Sequence, residues 1–152
     1  YIINNGIPME DLMELLDAEH PIGMRFTWMF GDILKYDATV MKPVVELCFK
    51  RRNDFDFPGF DRSVAKMLCL AGVPEAIEGL VADELFKWAL DPKKKVAVKV
   101  FAIDTLGQLC IKYPELKEEL LDVIDDQLDK TSVAFRARAK KVIKDLGKVK
   151  VS

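Results

Sequence analysis

Lys95-Val96-Ala97-Val98-Lys99-Val100-Phe101-Ala102 and Ser132-Val133-Ala134-Phe135-Arg136-Ala137-Arg138-Ala139 are two copies of one pattern. Each opens with small and β-branched residues, reaches a basic residue, and places an alanine three positions further on. Fainter copies lie upstream, around Pro21-Ile22-Gly23-Met24-Arg25-Phe26-Thr27-Trp28 and Pro58-Gly59-Phe60-Asp61-Arg62-Ser63-Val64-Ala65. The basic residues stand at 25, 62, 99 and 136, a step of 37 each time. The column three residues on holds Trp28, Ala65, Ala102 and Ala139, and Pro21 and Pro58 share a place in their copies. A fixed step of this size through four copies is the signature of a stacked helical-repeat array. One repeat cannot bury its own apolar face, so neighbours must stack for any to be stable. The pattern predicts a single domain over 1–152, with repeats starting near 21, 58, 95 and 132.

Reading outward from those copies, Asn4-Asn5-Gly6 is a turn signal, and Pro8 opens a helix whose stripe is Leu12, Leu15 and Leu16. His20-Pro21 ends it, and further helices are expected over 22–35 and 39–50. A polar loop follows around Arg51 to Gly59, then a helix over 61–71 that stops at Gly72 and restarts at Pro74 to run to Leu90. Ile77, Leu80, Val81, Leu85, Trp88 and Ala89 are its expected buried residues. After Asp91-Pro92 come helices over 95–112 and 114–129, divided by Tyr113-Pro114. A last helix over 133–146 carries Phe135, Ala139, Val142, Ile143 and Leu146 on one stripe. No stretch alternates with period two, so the expected fold class is all-α, with about eight helices. Because the chain starts at Tyr1, its first helix is expected to be a cap or half of a truncated pair.

A chain of 152 residues is long enough for a core without staples. With 23 basic and 25 acidic residues it has the balance of an ordinary globular protein and not of a dedicated nucleic-acid binder. Cys48, Cys69 and Cys110 are odd in number, widely spaced and set among apolar residues, so they read as reduced core thiols of a cytoplasmic protein. No apolar run approaches a membrane span and no secretory leader is read.

Arg62-Ser63-Val64-Ala65-Lys66, Lys95-Val96-Ala97-Val98-Lys99, Tyr113-Pro114-Glu115-Leu116-Lys117 and Ala134-Phe135-Arg136-Ala137-Arg138-Ala139 resemble HEAT-like repeats of the armadillo-type superhelix. More narrowly, they look like a group of small HEAT-like proteins, mostly bacterial. The resemblance covers about residues 8–146. It implies a right-handed α-α superhelix whose second helices, about 39–50, 74–90 and 114–129, line the concave side. It also implies a non-catalytic scaffold that binds a protein partner. Proteins of the group sometimes carry the label adenylosuccinate lyase, which these residues do not support. That family is far longer, builds its site across a tetramer and needs a Ser-rich loop, whereas this chain has Ser63, Ser132, Ser152 and one His. A more distant resemblance is to the HEAT-like DNA glycosylases of alkylation repair. That alternative offers Trp28 and Trp88 against a base and Asp104 or Asp32 as the acid, with no motif that fixes them there.

The basic column of Arg25, Arg62, Lys99 and Arg136 reads first as a stacking device that pairs with acids of neighbouring repeats. Its sharper reading is a ladder for an acidic partner or phosphate backbone, whose contacts would make binding salt-dependent. Residues 131–152 carry seven basic residues, among them Arg136, Arg138 and Lys140, against Asp145. Residues 115–129 carry seven acids against Lys117, so consecutive antiparallel helices are expected to neutralise each other, or else to leave a basic edge. Trp28 and Trp88 read as core residues, or as binding anchors if exposed. With His20 the single imidazole, no metal site, cofactor loop or nucleophile–base pair is read, and no cofactor is expected.

Overall fold

The computed structural model describes residues 42–53 and 59–148. The repeat copies at Arg25 and Trp28, with His20 and Asp32, lie outside them. Among the described residues there are six α-helices and no strand. They are α1 (Lys42–Lys50), α2 (Phe60–Ala71), α3 (Glu78–Leu90), α4 (Val96–Lys112), α5 (Lys117–Leu128) and α6 (Val133–Leu146). Single 3₁₀ turns, Glu75–Ile77 and Pro114–Leu116, lead into α3 and α5, where continuous α-helix was expected. Short turns of this kind are common at helix starts. The chain divides into two compact units between Pro74 and Glu75.

In the first unit α1 packs on α2. Val44, Val45, Cys48 and Phe49 of α1 are buried, as are Phe60, Val64, Ala65, Met67, Leu68 and Ala71 of α2. Glycine bounds α2 at both ends: Gly59 has φ 87° and Gly72 φ 85°, a region L side chains rarely adopt. The Gly72 N–H donates to the Leu68 carbonyl and closes the last turn.

In the second unit α4 is central and packs on α3, α5 and α6. A helix enclosed on several sides is apolar over much of its surface. Accordingly Val98, Ala102, Ile103, Leu106, Leu109 and Cys110 are all buried. Gly107 lets α6 come close, since a Cβ there would meet Val142 Cγ1 at 3.4 Å. Asp91 ends α3 by accepting the Lys93 N–H at 2.8 Å, and Pro92 cannot continue the helix.

Three expected core positions are corrected. Leu80 is 63 % exposed, because α3 buries Val81, Leu85, Trp88 and Ala89, after Ile77 of the preceding turn, and Leu80 shares the outward face with Asp83 and Lys87. Ile143 is 40 % exposed, beside the buried stripe of Phe135, Ala139, Val142 and Leu146. Cys48 and Cys110 are buried, but Cys69 is only half-buried.

Candidate functional site

The start of α3 and the end of α4 meet around one acid. Glu78 is the first residue of α3, where a negative charge complements the helix dipole, and it is buried. Lys112 ends α4 and Tyr113 follows it. Lys112 Nζ donates to Glu78 Oε1 at 2.9 Å and the Tyr113 hydroxyl donates to the same oxygen at 3.0 Å. A buried carboxylate is tolerated when it is paired and hydrogen-bonded, and both conditions are met here. The hydrogen bond to Glu78 is the main reason that Lys112 and Tyr113 hold their protons above their ordinary ranges. Glu78 thereby joins the start of α3 to the end of α4.

Beside this junction lies a cleft of about 470 Å³ between α3 and α5. Its floor is apolar: Ala82 and Phe86 of α3, Leu109 of α4 and Leu116 before α5. Its rim carries Asp83, Glu115 and Glu119, all exposed. Asp83 meets Lys87 one turn on, at 3.2 Å. Gly79 keeps one wall open, since a Cβ there would touch nothing within 4 Å. An apolar floor with an acidic rim suits an apolar side chain flanked by positive charge.

None of the candidate binding residues named from the sequence lines this cleft, although Tyr113, Glu115 and Leu116 of the Tyr113–Lys117 motif do. Arg25 and Trp28 fall outside the described residues. Arg62 is exposed on α2. Lys99, 5 % exposed, donates through Nζ to the amide oxygen of Gln127 at 2.6 Å, rather than to a carboxylate. Arg136 is exposed, and its guanidinium donates to the Thr131 carbonyl at 3.3 Å. Arg138 pairs with Asp104 of α4 at 3.2 Å, and Lys140 is exposed on α6. Trp88 is 4 % exposed, and its indole N–H donates to Glu84 at 3.0 Å.

The structure thus gathers Arg136, Arg138 and Lys140 on α6 and sets Lys99 apart from them. Sequence reasoning passed over Glu78, Lys112 and Tyr113 because 34 and 35 residues separate the partners. One available signal was the recurrence of Pro-Glu at 74–75 and 114–115, which marks the two turns that flank the cleft. Among the described residues no helix is long and apolar enough to cross a membrane, and no group of three or more His, Cys, Asp or Glu is placed to hold a metal ion. In comparisons with family models, curated proteins and solved structures, nothing matches this chain.

Proposed function

We propose that this chain is a non-catalytic protein-interaction module of HEAT-repeat type, part of a right-handed α-α superhelix of about eight helices. Its contact face is the acid-rimmed cleft between α3 and α5, and its partner is a protein segment with basic residues flanking an apolar side chain. The observation that carries this reading is the pairing of an apolar floor with exposed Glu115 and Glu119 on the rim. The cleft volume lies within the range of about 300–1,000 Å³ typical of ligand pockets. Its walls belong to the second helices of two successive pairs, the face that the HEAT resemblance assigns to partners. Rim charges of this kind mainly steer encounter and select partners, while the apolar anchor supplies affinity. A cytoplasmic setting accords with the thiol pattern.

A peptide-display selection on the purified chain tests this reading. Enriched sequences should carry Lys or Arg on both sides of an apolar residue. The double variant Glu115→Lys/Glu119→Lys should bind them at least tenfold more weakly while melting as the parent does. Enrichment of acidic peptides, or equal binding by the double variant, would reject it.

A second reading has its own observation. Arg136, Lys140, Lys141, Lys144 and Lys148 are all exposed along and just beyond α6. This basic edge suits a DNA backbone, as the likeness to the alkylation-repair glycosylases would have it. That reading expects duplex binding with a steep salt slope and release of methylated bases. It has weaker support, because Trp88 is enclosed and held by Glu84, and Asp104 is engaged by Arg138.

A further inference from the structure

Lys99 is the most deeply buried charged side chain among the described residues. Its ammonium has three N–H groups, and the hydrogen bond it makes is the one to neutral Gln127. Two acids act on it electrostatically, Asp91 and Asp126, and both are occupied elsewhere. Asp91 accepts the Lys93 N–H at 2.8 Å. Asp126 is held by Lys130 at 3.0 and 3.2 Å and by the Gln127 amide at 2.9 Å. A buried ammonium without a paired counter-charge is costly, and burial accordingly pushes the Lys99 pKa down.

The ammonium does not face solid core. Lys99 lines a cleft of about 420 Å³ where α3 and α5 end and α4 and α6 begin. Lys94, Asp126, Lys130, Thr131 and Ser132 line the same cleft. Ser132 is the N-cap of α6, yet its side chain makes no capping hydrogen bond. The positive end of the α6 dipole and its unpaired first-turn N–H groups therefore add to the field of the lysines. Donors converge here from three separate elements, and the three lysines outnumber the one carboxylate of the lining, Asp126, whose oxygens are already bonded to Lys130 and the Gln127 amide.

We propose that this cleft is a binding site for a phosphate-type oxyanion, either free phosphate or a small phosphomonoester, held by Lys99 together with Lys130 and the Ser132 hydroxyl. A tetrahedral anion offers acceptors to donors arriving from several directions, whereas a carboxylate offers two oxygens in one plane. The anion accepts from the Lys99 ammonium, which bonds no carboxylate directly, and ties α4 to the α5–α6 connection. This site is separate from the acid-rimmed cleft and does not depend on the role given to it.

Calorimetry and thermal melts at constant ionic strength test the site, with inorganic phosphate, phenyl phosphate and acetate as probes. Fixed ionic strength and a variant control are needed because phosphate also stabilises proteins by exclusion from their surfaces. Phosphate should bind saturably and raise the melting temperature, and acetate should do neither. Tight phenyl phosphate binding assigns the site to phosphomonoesters; inorganic phosphate binding alone assigns it to the free ion. Lys99→Met should stay folded and lose at least tenfold in phosphate affinity. If Lys99→Met fails to fold, Lys130→Gln and Ser132→Ala decide, each expected to weaken binding several-fold. No saturable binding, acetate binding as tight as phosphate, or unchanged affinity in the variants would overturn the site.

Discussion

Helices α4 and α6 open with the same pattern, yet their basic residues meet opposite fates. Ala102 and Ala139, in the alanine column, are both fully buried, and so is Ala65 in α2. In the basic column Lys99 is buried against Gln127 of α5, while Arg136 is exposed and turns back on the Thr131 carbonyl. The alanine column is thus enclosed in α2, α4 and α6 alike. In the basic column α5 covers Lys99, whereas Arg62 and Arg136 are exposed. A recurring spacing therefore marks which positions correspond, but a side chain's environment depends on what is packed against it. The same point bears on the charge layout, with an acid-rimmed cleft between α3 and α5 and an open basic face on α6.

The largest test of this comparison concerns the alanine column. Ala102→Leu and Ala139→Leu should each cost about 3 kcal/mol through overpacking, as read by urea denaturation. If either were tolerated, the two helices would not share a buried column. Next, the burial of two thiols, Cys48 in α1 and Cys110 in α4, predicts an alkaline limit to stability. Burial raises the Cys110 thiol from 9.0 to about 11 and the Cys48 thiol to about 12. A raised folded-state pKa means that stability is fully present below pH 9 and is lost as pH rises from 9 toward 11 and 12. The loss should be about 1.4 kcal/mol per pH unit for each thiol, and Cys110→Ala should flatten its share.

The basic column comes third. Lys99→Met removes a buried, unpaired charge and should stabilise the protein by about 1 kcal/mol in phosphate-free buffer. Arg136→Met, on the surface, should change stability by no more than about 0.5 kcal/mol. Equal effects would erase the distinction drawn above. The smallest effect involves two helical glycines. Gly79→Ala should gain about 0.5–1 kcal/mol, since its new methyl meets nothing. Gly107→Ala should gain less, since its methyl presses on Val142.

Much of the fold was legible because Gly and Pro act locally: Gly72, Pro92 and Tyr113-Pro114 each mark a helix boundary where the structure has one. The alanine column was legible because its spacing is a property of the sequence alone. Leu80 and Ile143 were misjudged because a helix's apolar residues do not say which neighbour will cover them, and one position off the stripe suffices to expose a side chain. The cleft was not legible at all. Its organising contacts join Glu78 to Lys112 and Tyr113 across the length of a whole repeat, so they exist only once α3 and α4 lie side by side.

The most direct test of the proposed role is amide chemical-shift mapping of the ¹⁵N-labelled chain, titrated first with a selected basic peptide and then with duplex DNA. Shifts from the peptide should cluster at residues 78–86 and 109–119, with α6 unchanged and DNA without effect at physiological salt. Shifts along Arg136 to Lys148, with the cleft silent, would contradict the account.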